Sequence, residues 1–211
     1  MSQSSEQGLA VVTGASSGIG FELARQFAEH GFDLVIVADD EGIVAAANEL
    51  RDLRVQVEPV QADLARAADV DRLWERVRAR GRPLDAIALT AGAGVGGPFV
   101  DTDLEEEIRL IELNVVSTVR LAKYAIRDMV SRGAGRILFT SSIAAELPAP
   151  FLAVPGASKS FVQSFAEALH HELRDTGVTV TALQPGPMAE VARQGYEALM
   201  AGKPAAGRRA P

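Results

Sequence analysis

The segment Thr13-Gly14-Ala15-Ser16-Ser17-Gly18-Ile19-Gly20 joins a short apolar run, Leu9–Thr13, to a pattern in which Ile19, Leu23 and Phe27 share one helical face. Strand, glycine turn and helix start, in that order, form a dinucleotide site. The unpaired N–H groups and positive dipole end of the helix favour a pyrophosphate. Glycines at 14, 18 and 20 let the backbone turn tightly and approach the ligand, with Ser16 and Ser17 between them. Glycine turns between strand and helix are common, but the spacing TGxxxGxG is much more specific. A second apolar run ends in Ala38, Asp39 and Asp40. An acid there accepts from ribose hydroxyls, whereas a 2′-phosphate wants Arg or Lys, and neither Ser17 nor its neighbours offer one. NAD is therefore favoured over NADP, although the same acids could cap a helix starting near Glu41.

These residues need a scaffold, and the hydrophobic pattern describes one. Short runs rich in Val and Ile alternate with longer segments of three-to-four spacing, so strands alternate with helices. The strand candidates are Leu9–Thr13, Asp33–Ala38, Arg54–Val60, Asp85–Thr90, Arg136–Ser141 and Val178–Gln184. Near-continuous apolar strands are those of a parallel sheet covered on both faces. The fold class is α/β: a Rossmann-like, doubly wound parallel sheet with helices on both faces. Residues 9–202 read as a single domain, with residues 1–8 and 203–211 as disordered tails, because neither end has periodicity.

Composition limits the partners. The 211 residues are 47% hydrophobic and 5% aromatic, carry 21 basic against 28 acidic side chains, and include no cysteine. A thiolate zinc site and a disulfide framework are excluded, and no metal site is expected. The net charge of −7 argues against nucleic acid, which is held by clustered Lys and Arg. No apolar run approaches the roughly 18–20 residues that span a bilayer. The start, Met1 to Gly8, lacks the basic residue of a secretory signal, so the expectation is a cytoplasmic protein with a small-molecule substrate.

With this loop spacing, the sequence from about Gly8 to Pro187 resembles the short-chain dehydrogenase/reductase family. The resemblance implies oxidoreduction of a small carbonyl or alcohol with NAD or NADP, and possible homo-oligomers. Asp63-Leu64 stands where the family places an acid against the adenine ring, although Asp63 suits an N-cap equally well. Thr90-Ala91-Gly92 is similar to the family's Asn-Asn-Ala-Gly with Thr at the second Asn; Ala91 and Gly92 still allow close backbone approach to the cofactor.

In the family, a Ser orients the substrate oxygen, a Tyr exchanges the proton, a Lys four residues later lowers the Tyr pKa and holds the ribose, and an Asn supports a water relay. The resemblance carries these roles onto Ser142, Lys159 and Asn114. Ser142 is preferred to Ser141 because it lies thirteen residues before the Tyr position. Asn114 could instead make a structural hydrogen bond, and Lys159 could be an exposed helical lysine. The Tyr position itself holds Pro155. Proline has no proton to give, yet it suits the first turn of a helix. Tyr124 and Tyr196 are the remaining tyrosines; Tyr124 is expected to pack or cap a surface, Tyr196 lies near the C-terminus, and a catalytic role is expected for neither. His30 would end the first helix, and His170 and His171 would lie on a solvent side.

After the sixth strand, Pro185 and Gly186 match the family's Pro-Gly against the nicotinamide, but the usual Thr is not seen. The helical pattern Ala189 to Met200 follows at once, leaving almost no room for a substrate lid, and nothing after Gly202 resembles a seventh strand. A missing last strand and an impaired catalyst are the expectations; a non-catalytic cofactor-binding or interaction protein is the alternative.

Overall fold

The computed structural model describes residues 7–142, 145, 149–185 and 188–206. Strands β1 (Leu9–Thr13), β2 (Asp33–Ala38), β3 (Val57–Gln61), β4 (Ala86–Leu89), β5 (Gly135–Thr140), β6 (Val178–Leu183) and β7 (Ala205–Ala206) form one sheet. The order is β3-β2-β1-β4-β5-β6-β7, and all neighbours run parallel. Helices α1 (Gly18–Glu29), α2 (Gly42–Arg51), α3 (Ala67–Ala79), α4 (Leu104–Ile111), α5 (Ser117–Arg132), α6 (Ala153–Glu172) and α7 (Met188–Met200) make the connections.

The period of two along each strand divides the core. Ala10, Val12, Leu34 and Ile36 face α1, α2 and α7 through Phe27, Ile43 and Leu199. Leu9, Val11, Val35 and Ile87 face α3, α5 and α6 through Leu73, Leu121 and Val162. Both faces are thus covered, and β1, β2 and β4 are buried along their whole length, with Thr13 and Asp33 at strand ends as their polar residues. Each buried Leu, Ile or Phe contributes about 1.5–3 kcal/mol, so the sheet fixes its strand ends firmly.

The predicted alternation of strands and helices is present, with three departures. Arg54 and Val55 belong to the turn after α2 rather than to β3: Arg54 has φ 64° and its N–H returns to the Arg51 carbonyl at 2.9 Å. A seventh strand exists where none was expected. It has two residues, Ala205 and Ala206, paired with Ala182 and Leu183, and Ala182 N–H donates to the Pro204 carbonyl at 2.9 Å. Two alanines carry no period to read, and the pairing is supplied by the exposed edge of β6. Finally, His170 turns inward and places Nδ1 3.1 Å from the Val180 carbonyl, whereas His171 is exposed.

Candidate active site

The strand order reverses between β1 and β4, and the crevice beyond their carboxyl ends is the natural ligand site of a doubly wound sheet. Two connected clefts lie there. One, of about 170 Å³, is lined by Ser16, Ala38, Asp39, Asp63, Leu64 and Ala91 among others. The second, of about 480 Å³, includes Ile19, Gly20, Ser142, Pro155, Lys159 and Pro185. Gly14, Ser17 and Gly92 line both, so one groove crosses the switch point.

The glycine loop fits a phosphate cradle. A Cβ on Gly20 would sit 2.1 Å from the Gly14 carbonyl oxygen, so the loop folds back on the first turn of α1 only because side chains are absent. Gly18 opens that helix, with Ser17 as an N-cap residue that makes no side-chain capping bond. Helix N–H groups are therefore left to a ligand in the groove. Ser16 Oγ donates to Asp40 Oδ2 at 2.6 Å and pins the loop to the end of β2. The other Asp40 oxygen accepts from Gly42 N–H at 2.8 Å. Asp40 thus closes a turn onto the first residue of α2, whose N-cap is Glu41, and Asp39 is left exposed on the groove wall.

Asp63 is not the N-cap of α3, which starts at Ala67 after Arg66. Its Oδ1 accepts from Ala65 N–H at 3.0 Å, and Oδ2 accepts from Arg109 Nη1 at 2.8 Å. Burial opposes its ionisation, but the bonds from Arg109 and Ala65 outweigh that and hold the carboxyl below its usual range. Arg109 Nη2 also lies 3.9 Å from Asp39 Oδ2. One guanidinium on α4 therefore stands against both acids of the smaller cleft.

At the other end, Lys159 Nζ donates to the Thr140 carbonyl at 3.1 Å. Protein surrounds the ammonium on most sides, and that burial pushes its pKa down. Ser141 Oγ donates to the Lys159 carbonyl at 3.2 Å, which commits Ser141 to the scaffold; Ser142 lines the cleft. Asn114 is buried in a π turn, Glu112–Val116, between α4 and α5. It donates to the Ala93 carbonyl and to Ser158 Oγ, both at 3.0 Å, and accepts from Ala93 N–H at 2.9 Å. Ser158 Oγ in turn donates to the Pro155 carbonyl at 2.7 Å. Pro155 occupies the first turn of α6, where no intrahelical donor is needed, and Lys159 follows one turn later.

The described part of the groove thus joins a phosphate cradle to a buried amine on a Rossmann-like sheet. Residues 8–198 match the short chain dehydrogenase family. The chain belongs to that family. A very-long-chain 3-oxoacyl-CoA reductase of Aspergillus oryzae is 34% identical over 182 residues, covering 83% of this chain and 52% of that protein. The short-chain dehydrogenase of Sphingobium yanoikuyae, solved in complex with NADPH, is 32% identical. It superposes with a TM-score of 0.88 over 94% of this chain and 87% of that one. A bulky-bulky ketone specific alcohol dehydrogenase from Comamonas testosteroni superposes at 0.89, with 28% identity over 96% and 86% of the two chains.

In this short-chain dehydrogenase the structure brings together Gly14, Ser16, Ser17, Gly18, Ile19, Gly20, Asp39, Asp63, Leu64, Ala91 and Gly92 at the loop side of the groove. Ser142, Pro155, Lys159 and Pro185 lie at the other side, with Asn114 behind them. Gly186 lies outside the described residues. Sequence reasoning missed Arg109, Ser158 and Thr140. Arg109 has no local signal, because its partners are 46 and 70 positions away in the chain. Thr140 and Thr90 meet through their hydroxyls at 3.2 Å, and Thr13 Oγ1 accepts from Thr90 and Ala91 N–H at 2.9 and 3.0 Å. Three threonines thus hold the end of β4.

The two remaining tyrosines are occupied elsewhere. Tyr124 donates to Asp71 at 2.8 Å and stacks on Trp74, and that hydrogen bond together with burial pushes its pKa up. Tyr196 is buried against Phe27 and stacked on His30. No described helix is long and apolar enough to cross a membrane.

Proposed function

We propose that this chain is a nicotinamide-dependent oxidoreductase that interconverts a small carbonyl compound and its alcohol, with catalysis slowed by Pro155. The observation that carries the reading is the continuous groove from Asp39 and Asp63 to Lys159, with Gly14, Ser17 and Gly92 at its centre. Its dimensions and polarity suit an extended dinucleotide. Asp63 and Leu64 would border the adenine, Asp39 the ribose hydroxyls, the N–H groups of Gly18 to Gly20 the pyrophosphate, and Lys159 the second ribose. Such a cofactor supplies hydride donation and acceptance.

The protein's part is to orient the carbonyl and manage its proton. Ser142 would orient the substrate oxygen, while Asn114 holds the Ala93 backbone and the first turn of α6 in register through Ser158. Pro155 can move no proton. Losing a positioned general acid costs about 10²–10⁴ in rate. Exposed Asp39 favours NAD, since its carboxylate accepts from a 2′-hydroxyl and repels a 2′-phosphate. The Sphingobium relative holds NADPH, so both dinucleotides belong in the test.

Fluorescence titration with NADH and NADPH, followed by assay on a panel of aldehydes and ketones, tests the reading. Saturable binding of NADH ahead of NADPH, with slow carbonyl reduction, supports it. Absence of binding by either cofactor removes it. Binding without any reduction selects the non-catalytic alternative.

A further inference from the structure

We propose that Lys159 itself supplies the proton to the carbonyl oxygen during reduction, directly from Nζ and without a tyrosine between them. The inference rests on the oxidoreductase reading and assigns the step that Pro155 leaves open. Its ground is the inventory of the larger cleft. Among the described residues that line it, Lys159 carries the one side chain that titrates in water; its polar companions are serine and threonine hydroxyls such as Ser142 and Thr140. The hydroxyls do not release a proton near neutral pH, so among the described residues an alkoxide forming in this cleft has a single acid beside it.

The surroundings of the amine favour this use. From β5 it meets the Thr140 carbonyl at 3.1 Å, and a Cβ on Gly92, in the loop after β4, would lie 3.2 Å from Nζ and 3.1 Å from Asn114 Oδ1. Asn114 and Ser158 satisfy each other and the backbone. None of these elements, nor α6 itself, turns a charged side chain toward Nζ among the described residues. The ammonium therefore has burial working against its charge and, among the described residues, no carboxylate holding its proton. A lysine desolvated in this way gives up its proton more readily, as a general acid must.

The step balances. The carbonyl carbon accepts a hydride from the reduced nicotinamide dinucleotide, which is oxidised, and the C=O π bond breaks. The carbonyl oxygen takes the proton from Nζ to form the alcohol O–H. Lys159 is left neutral, and water in the cleft returns its proton.

The test uses the full chain with Lys159→Arg and Lys159→Met variants. Arginine keeps a cation near the ribose but does not release a proton below about pH 12. With benzaldehyde as the probe, and at a cofactor concentration that saturates each protein as measured separately, Lys159→Arg should lose about 10²-fold or more in turnover. Parent turnover should fall about tenfold per pH unit above the lysine titration. A second readout needs no cofactor. The chain has three lysines, Lys123, Lys159 and Lys203, so ε-13C labelling gives three NMR signals, and Lys159→Met identifies one. The Lys159 signal should titrate below the ordinary lysine value of about 10.4. Turnover by Lys159→Arg within about threefold of the parent, or a Lys159 signal that titrates at the ordinary lysine value of about 10.4, overturns the proposal and leaves the oxidoreductase reading standing. Binding without reduction by the parent overturns both.

Discussion

Asn114 Nδ2 donates to Ser158 Oγ at 3.0 Å, which ties a π turn between α4 and α5 to the residue immediately before Lys159. A π turn widens a helix by one residue and is frequent at functional sites. Here it points an amide into the space between the β4 loop and α6. Asn114 also satisfies both backbone groups of Ala93, so one side chain holds three segments at the cleft.

Asn114→Leu should therefore leave the Ala93 N–H and carbonyl without this partner and place an apolar side chain against the buried Ser158 hydroxyl. A buried polar group left unsatisfied costs about 1–3 kcal/mol. Urea unfolding should show a loss in that range, together with weaker cofactor binding. A midpoint equal to the parent's would mean that water replaces the amide freely and that the network does not hold the cleft.

Arg109→Ala removes the guanidinium shared by Asp63 and Asp39. The pair is partly exposed and salt-screened, so the loss of stability at neutral pH should be about 1 kcal/mol or less. Asp63 has a depressed pKa in the folded chain. Its contribution is present above the unfolded carboxylate value and disappears as pH falls through the folded one. Parent and variant should thus differ at neutral pH and converge in acid. Without Arg109 to offset Asp39, NADPH should lose more affinity than NADH. An unchanged ratio of the two affinities tells against that screening.

Gly92→Ala would put a Cβ 3.1 Å from Asn114 Oδ1 and 3.2 Å from Lys159 Nζ. Both neighbours must give by a few tenths of an ångström, and each is held by hydrogen bonds. The fold should survive with a small change in melting temperature, whereas cofactor affinity should drop about tenfold or more, measured by titration. Affinity equal to the parent's would show that the ligand does not pass over Gly92.

Lys159→Met tests the cost of burying the amine. In the folded chain the Lys159 pKa is pushed down by desolvation, while in the unfolded chain it lies near the ordinary value of about 10.4. Between those values the unfolded chain binds more protons, so parent stability rises with pH through that window. The methionine variant lacks this dependence. It should be more stable than the parent near neutral pH, by a margin that shrinks as pH approaches about 10. A margin constant with pH, read from urea midpoints, would mean that Lys159 titrates normally.

Pro155→Tyr restores a phenol one helical turn before Lys159. Carbonyl reduction should rise by about 10²–10⁴, and the fall in rate at alkaline pH should shift because a different group now gives the proton. No gain in kcat, in a variant that still binds cofactor, would place the deficit elsewhere, with the short passage from Pro185 to α7 as the first suspect.

The strands and the glycine loop were legible because their signals are local. A parallel strand buried on both faces must be apolar, and a helix start that receives an anion must dispense with side chains, so residues 9–38 announce themselves in the chain. The sequence also determined that Pro155 stands one turn before Lys159, since that spacing is internal to a single helix. Tertiary structure alone decided which acid ties the glycine loop to the start of α2 and which faces the groove, because Asp39 and Asp40 differ only in where β2 ends and what Ser16 reaches. It also decided that Arg109 stands against Asp63, that Asn114 speaks to Ser158, and that a two-alanine segment extends the sheet at β6. Each of these depends on a partner far away in the chain. Propensity and periodicity record what a residue does with its neighbours in sequence, whereas a cleft is made from the ends of strands that meet only when the sheet is assembled.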